Sequence, residues 1–432
     1  MVVAEVGKAG RKARRGVLFS LPILVTMALL PCARAAAGES AGAAGGAADP
    51  RLAGYSFGYA NPLYATIAGY LSIKEPELKD QKSIKLKVPS FKKKIQVKAI
   101  LQPSDAPLVV VLLGVDGRTD SPFGKLWPSW LGDAGYHVLT FDSTFLSGFV
   151  DISGHGVTGN VRVEAECVRD IIAAFLDLPE VRGKVQKIGI VGMSYGGLEA
   201  LVLGQLAAAG KLPFKVEALQ SYSPPVNLQK TGELLDKWHR EDRWQYTLVE
   251  LADKLSGHKP VAPDNPVPFD DSIMRAGIAA LFRLSLADVV LRNNEVYKLG
   301  LLPKGNEFDD QYVKQEYAKL WGYTEFMNDM AFPYWEKKAD LHSLSDLTGP
   351  IELSRLVENQ PPYTLAIIAE DDPFNMPEDM AAFRKTAPKQ EVIFLPRGGH
   401  LGYANEPWTR ALLLSLFKGA ERQTSAAPAP KP

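Results

Sequence analysis

The sequence predicts an α/β architecture, a mostly parallel central sheet with helices on both faces and a helical cap inserted between two of its strands. Three observations predict it. Residues 108–113 are a continuous apolar run, Leu-Val-Val-Val-Leu-Leu, suited to a strand buried on both faces. Similar short runs recur along the chain and are separated by helical-period stretches, the pattern of parallel strands joined by crossover helices. From residue 224 to about 361 the strand runs stop and the pattern is mainly helical, after which strands resume at once.

The elements follow in order. Residues 83–88 and 94–101 alternate like paired strands around a turn at Pro89-Ser90. Strands are expected at 108–113, 136–141, 187–191 and 216–222, with helices at 161–178 and 198–209 between them. In the cap, 273–291 is strongly apolar and 308–323 is more polar. Strands then return at 364–369 and 391–395, with a helix near 380–386 between them and a closing helix at 408–418. These boundaries put the core at 51–223 and 362–420, and the cap at 224–361.

The ends carry different information. Lys8, Arg11, Lys12, Arg14 and Arg15 precede a nearly all-apolar stretch, 17–30, and Ala33-Arg34-Ala35 or Ala35-Ala36-Ala37 fits a small-residue cleavage site. That layout reads as a secretory signal over 1–37, too short in its apolar part to serve comfortably as a permanent span. A secreted or periplasmic location with no stable membrane span after its removal is the expectation, with a retained single anchor or lipidation at Cys32 as the alternatives. A Gly/Ala-rich linker at 38–50 and a disordered Ala/Pro-rich tail at 421–432 complete the ends.

Lys plus Arg and Asp plus Glu number 49 each, so the formal charge is zero and gives no support for binding nucleic acid. Of the two cysteines, Cys32 lies in the leader, leaving Cys167 unable to form an intramolecular disulfide. Its place in an amphipathic helix marks it as a buried apolar thiol.

The chemistry concentrates in three loops. Gly192-Met193-Ser194-Tyr195-Gly196 is a G-x-S-x-G sequence that follows one expected strand and opens a helix, the setting that exposes a serine Oγ on a strained turn. A serine hydroxyl needs a base to act as a nucleophile, and the base needs an orienting acid. His400 follows a strand in Gly398-Gly399-His400-Leu401-Gly402. Asp372 follows another in Glu370-Asp371-Asp372-Pro373-Phe374, with Asp371 as the fallback. The backbone N–H groups of Tyr195 and of Val115, in the loop Gly114-Val115-Asp116-Gly117, are the expected donors to an oxyanion.

Of the other histidines, His137 falls in a strand, His239, His258 and His342 read as cap surface, and His155 is a weaker candidate for the pocket mouth. Tyr222, Phe332 and Tyr334 are candidate pocket aromatics. The cap charges Lys237, Arg240, Glu241, Asp242 and Arg243 read as a solvated face, with Trp238 and Trp244 as cap core.

Taken together, the order Ser194, Asp372, His400 and the strand–turn–helix context resemble the α/β-hydrolase superfamily over roughly residues 80–418. Asp371-Asp372-Pro373-Phe374, Gly398-Gly399-His400-Leu401-Gly402 and Ser223-Pro224-Pro225-Val226-Asn227-Leu228 resemble the corresponding loops of the YheT-like esterase branch. The resemblance implies a carboxylic-ester hydrolase fold, the triad above, and neither metal nor organic cofactor. Two positions depart from it: Leu113-Gly114 stands where the superfamily often has His-Gly, and Tyr195 replaces the branch's usual leucine.

The expected activity is that of an exported serine hydrolase of a small-molecule or lipid ester, acting through an acyl-enzyme. An amidase or peptidase using the same residues, or a silent binding protein on the fold, are the alternatives. Oligomeric state is left open.

Overall fold

Residues 108–112 show how the sheet organises the chain. Every side chain in this run is nearly inaccessible, and neighbours point to opposite faces. Leu108, Val110 and Leu112 enter one core, whereas Val109 and Val111 enter a second on the other side. A strand of this kind must lie mid-sheet with helices on both faces.

The structure is a computed structural model and describes residues 49–78, 80–241, 270–306, 310–339, 341–361, 363–389 and 391–418. The expected leader, most of the linker, the tail, Asp242, Arg243, Trp244 and His258 lie outside the described residues.

Eight strands form one sheet: β1 (Gln81–Leu86), β2 (Ile95–Ile100), β3 (Ala106–Leu112), β4 (His137–Phe141), β5 (Val185–Met193), β6 (Ala218–Tyr222), β7 (Thr364–Ala369) and β8 (Val392–Leu395). Their spatial order is β1-β2-β4-β3-β5-β6-β7-β8. The β1–β2 and β2–β4 pairs are antiparallel and the rest parallel. In the middle, Val111 pairs with Thr140 on one side and Val191 on the other. The expected turn at Pro89-Ser90 is present, closed by Phe91 N donating to Val88 O at 3.0 Å, but it sits inside a longer connection. Leu86 pairs with Ile95, so the connection runs the whole way from 87 to 94 and β1 starts two residues earlier than its alternation indicated.

The main helices are α1 (Pro62–Leu71), α2 (Pro122–Asp133), α3 (Ser147–Ser153), α4 (Val161–Leu176), α5 (Tyr195–Ala208), α6 (Leu228–Glu241), α7 (Asp271–Val296), α8 (Asp310–Ala318), α9 (Phe332–Ala339), α10 (Pro377–Thr386) and α11 (Pro407–Leu414). Helix α4 buries the stripe Val161, Ala165, Val168, Ile172 and Phe175, the spacing of one helical face. Cys167 lies on its buried side as a free thiol.

Helix α1 has no counterpart among the expected elements. Asn61 caps it by accepting from Tyr64 N, and Pro62 takes the first helical position. The expected linker also ends sooner than residue 50. Asp49 accepts from Arg51 N at 2.9 Å, and Arg51 in turn donates to Val392 O at 2.8 Å, so the chain is already tied to the sheet edge there.

Residues 224–361 leave the sheet after β6 and return at β7, its immediate neighbour. Among the described residues of this insertion there is no strand. Leu235, Trp238, Met274, Ile278 and Ala279 of the insertion share a third core with Leu63, Tyr64 and Ala68 of α1 and with Phe374. The insertion is tied to the body by polar groups as well. Arg292 grips Asp151 through two nitrogens, Asn293 accepts from Thr158 N at 3.2 Å, and Trp335 Nε1 donates to Val157 O at 2.9 Å. Asp236 is the hub within the insertion, accepting from Tyr323 N, Thr324 N and Thr324 Oγ1. Among the described residues no helix is long and apolar enough to cross a membrane.

Candidate active site

Strand β5 runs straight into α5 with one residue between them, Ser194. Its φ is 52° and ψ −118°, a conformation a side chain normally avoids and one that functional sites tolerate. The turn is so tight that a Cβ on Gly192 would stand 2.1 Å from Gly196 O, and one on Gly196 would stand 2.6 Å from Leu113 O. Both glycines are therefore required by space. Ser194 N donates to Tyr222 O at 2.8 Å, which pins the turn to the end of β6.

His400 comes from the loop after β8 and Asp372 from the loop after β7. His400 Nε2 lies 2.9 Å from Ser194 Oγ. His400 Nδ1 lies 2.8 Å from Asp372 Oδ2. Both side chains are buried, and the Phe374 ring packs 4.4 Å from the imidazole. Asp372 Oδ1 accepts from Phe374 N at 3.0 Å, so both carboxylate oxygens are engaged. Asp371, the fallback acid, points elsewhere and accepts from Gly399 N at 2.9 Å. Burial pushes its carboxyl above the usual range. It shapes the histidine loop without reaching the imidazole.

Helix α1 supplies a contact that no motif announced. His400 N donates to Thr66 Oγ1 at 2.9 Å, and that hydroxyl donates on to Pro62 O at 2.8 Å. Close approach makes this possible: a Cβ on Gly402 would lie 2.5 Å from Ala65 O. The signal available in the sequence was the Asn61-Pro62 helix start.

The loop after β3 lies against the serine. A Cβ built on Gly114 would be 3.2 Å from Ser194 Cβ, and Gly117 N closes the turn onto Gly114 O at 2.9 Å. Val115 and Tyr195 both line the cavity that opens over Ser194. Tyr195 begins α5, so its N–H belongs to the first turn, where no intrahelical acceptor exists. The altered Leu113-Gly114 therefore still brings backbone close to the serine.

The cavity is a partly open cleft over Ser194. Phe145, Leu228, Leu235, Phe282 and Met327 give it a mainly apolar wall, and Tyr323 and Phe374 close it. Met327 belongs to Phe326–Ala331, a segment wound as a π-helix, a form that often marks functional positions. The expected pocket aromatics are replaced by these rings. Tyr222 is fully buried on the far core, 4.6 Å from Trp127, because the last residue of β6 points to the face opposite the cap. Phe332 and Tyr334 lie one turn past the segment that reaches the cavity, and Tyr334 packs at a tilt against Tyr297 instead, 5.2 Å between ring centres.

His155 does not reach this cavity. It lines a smaller one with Cys167 and Trp335. His137 is held in the sheet, with Nδ1 accepting from Gln102 N at 3.0 Å. His342 is exposed, and His239 is half-buried in the cap. Lys237, Arg240 and Glu241 form a solvated face, and Trp238 packs inward 6.0 Å from Phe374.

Two buried carboxyls behind the serine were not anticipated. Glu164 of α4 accepts from the Tyr195 hydroxyl through Oε2 and from Gly159 N at 2.8 Å through Oε1. Glu199 of α5 takes a 2.6 Å hydrogen bond with Thr144. Burial pushes Glu164 up to about 7 against the pull of those two donors, and holds Glu199 well above the usual carboxylate range. Among the described residues no group of three or more His, Cys, Asp or Glu side chains is placed to hold a metal ion.

Residues 110–410 match the family model described as "Alpha/beta hydrolase family". No curated protein matches the sequence. Among solved structures, an esterase from Pyrococcus furiosus is similar at 15% identity and a TM-score of 0.40, over 81% of this chain and 97% of that one. The alpha/beta hydrolase GrgF from Penicillium sp. sh18 is similar at 15% identity and a TM-score of 0.42, over 80% and 99%. A proline iminopeptidase from Mycobacterium smegmatis is similar at 13% identity and a TM-score of 0.41, over 79% and 100%.

Proposed function

Because the chain belongs to the alpha/beta hydrolase family, whose model spans residues 110–410, we propose that it is a serine esterase in which Ser194, His400 and Asp372 act together on a carboxylic ester with an apolar acyl group. The observation that carries this reading is the chain of contacts from Ser194 Oγ through the imidazole to Asp372, at 2.9 Å and 2.8 Å.

Ser194 Oγ attacks the ester carbonyl and passes its proton to His400 Nε2. Asp372 holds Nδ1–H and so fixes the tautomer that leaves Nε2 free to accept. The negative oxygen is met by the backbone N–H groups of Tyr195 and Val115. Collapse expels the alcohol, which takes the proton back from His400. Water, deprotonated by the same nitrogen, then attacks the acyl-serine, releases the acid and restores Ser194 Oγ–H. No step uses a cofactor. The loops that hold Asp372 and His400 also support placing the chain beside the YheT-like esterases.

The apolar wall favours hydrocarbon over charge. Each buried methylene contributes about 0.8 kcal/mol, so kcat/KM for p-nitrophenyl esters is expected to rise by up to roughly fourfold per added acyl methylene until the cavity is filled. A flat or falling profile, or faster turnover of the matching anilides, would replace the esterase reading with another acyl transfer.

Export is proposed with it, supported by the basic residues 8–15, the apolar stretch 17–30 and the small residues that follow. Protein recovered outside the cytoplasm is expected to begin after Ala35 or Ala37. An uncleaved N-terminus retained inside would overturn that.

A further inference from the structure

The residue after the serine has a side chain whose placement the mechanism above does not use. Tyr195 supplies a backbone N–H to the oxyanion, yet its ring runs inward, fully buried, and packs edge-on against Phe145 at 5.2 Å. A phenol in such a position requires a partner for its hydroxyl. Glu164 provides it. The same carboxyl reaches back along its own chain to Gly159 N at 2.8 Å.

Gly159 is part of the wall of the cavity over Ser194. It adopts a φ of +103°, and a Cβ there would meet Phe326 at 3.4 Å and the Met327 sulfur at 3.5 Å. One buried carboxyl thus joins the start of α5 to the loop on which the cap segment Phe326–Ala331 rests.

The chain holds this group at a cost. Position 164 falls on the apolar stripe of α4, one residue before Ala165 and four before Val168, where burying a carboxyl is unfavourable unless its oxygens are engaged. Both are. A leucine there would satisfy the core and leave the phenol and the Gly159 N–H without partners.

We propose that Glu164 is a positioning residue for acyl transfer, tying the Tyr195 phenol to the Gly159 N–H so that the Tyr195 backbone N–H and the cavity wall keep a fixed relation to Ser194 Oγ. This rests on the serine-esterase reading of the site. The carboxyl does not touch substrate. It acts through Tyr195, and its loss is felt where the oxyanion forms, since small displacements of an aligned group are costly in rate.

The test is a double-mutant cycle in the full chain, read with a p-nitrophenyl ester. Tyr195→Phe removes only the hydroxyl and keeps the ring. Glu164→Leu removes the carboxyl. Each is expected to lower kcat about tenfold or more with KM held within about twofold, and the double variant to be no slower than the slower single, because both break one linkage. Glu164→Gln keeps an acceptor for Gly159 N and a polar partner for the phenol, and is expected to recover most of the lost kcat.

Multiplying losses, a loss confined to KM, or a Gln variant as slow as the Leu variant would each overturn the proposal. Tyr195→Phe keeps the cycle readable if Glu164→Leu does not fold, since an unchanged kcat in that variant alone overturns it. Labelling of the wild-type protein by a fluorophosphonate separates this failure from that of the esterase reading. A labelled, active wild type with independent effects sinks the positioning role only. A wild type that neither labels nor turns over sinks both.

Discussion

Ser194→Ala is expected to lower kcat/KM for p-nitrophenyl esters by roughly 10,000-fold or more while the chain keeps its fold. Removing the serine or the histidine of a serine–histidine–acid set costs nearly as much as removing all three, because the members act as a unit. The residual rate then comes from binding and the oxyanion donors. Stability should change little. The Ser194 hydroxyl hydrogen-bonds to His400 Nε2, and its backbone N–H stays bound to Tyr222 O. Alanine at φ 52° carries the same backbone penalty as serine does. Fluorophosphonate labelling gives an independent measurement, with the label located at Ser194 in the wild type and absent from the variant. A variant that keeps a substantial share of the activity, or a label found on another serine, removes Ser194 from the chemistry.

Asp236→Ala is expected to destabilise the protein by about 3–5 kcal/mol, the cost of leaving a buried ionic and hydrogen-bonded cluster without its centre. The Asp236 side chain is 2% exposed. It accepts from Tyr323 N at 2.9 Å, Thr324 N at 2.8 Å and Thr324 Oγ1 at 2.7 Å, and its charge faces Arg283 Nη1 at 3.3 Å. Alanine would strand two backbone N–H groups and remove the charge that faces Arg283, whose guanidinium keeps only its bonds to Lys319 O and Leu320 O among the described residues. Tyr323 and Thr324 both line the cavity over Ser194, so the damage should extend to function. KM for long-chain esters is expected to rise more than KM for acetate. Denaturant unfolding followed by tryptophan fluorescence measures the first effect and a chain-length series the second. A stability loss under about 1 kcal/mol would mean that apolar packing alone holds this part of the insertion.

Much of the sheet could be read directly from the residues. Strands β3 and β7 are continuous apolar runs bounded by turn residues, and a strand buried on both faces leaves little else for such a run to be. The three loops carrying Ser194, Asp372 and His400 were legible for a related reason. Each follows a strand, and glycines crowd the two that need close backbone approach. What resisted reading has equally specific causes. Helix α1, Pro-Leu-Tyr-Ala-Thr-Ile-Ala-Gly-Tyr-Leu, carries apolar residues almost all round, buried at Leu63, Tyr64, Ala65 and Ala68 and exposed at Tyr70, so it lacks the stripe that marks an amphipathic helix. Its capping Asn61 and Pro62 were the only signal. Thr66 could not be linked to His400 because 334 residues separate them. Glu164 was detectable in principle as a carboxylate placed on a core stripe, but its partner Tyr195 lies on another helix. The ring assignments failed at Tyr222 because which face a strand's last residue takes depends on register, which only pairing with its neighbours sets.

The joint between insertion and sheet has an evolutionary and practical consequence. Leu353 N donates to Val226 O at 3.0 Å, and Val226 N donates to Asn375 Oδ1 at 2.8 Å. The outgoing and returning segments of the excursion are thus stapled side by side at the base, next to the turn that bears Asp372. With its two feet clamped, the excursion can lengthen, shorten or be exchanged at little entropic expense to the body beneath it. A foreign cap grafted between these two feet would also have to cover the apolar surface that Leu286, Val289, Val290 and Phe326 now share with the sheet and its helices.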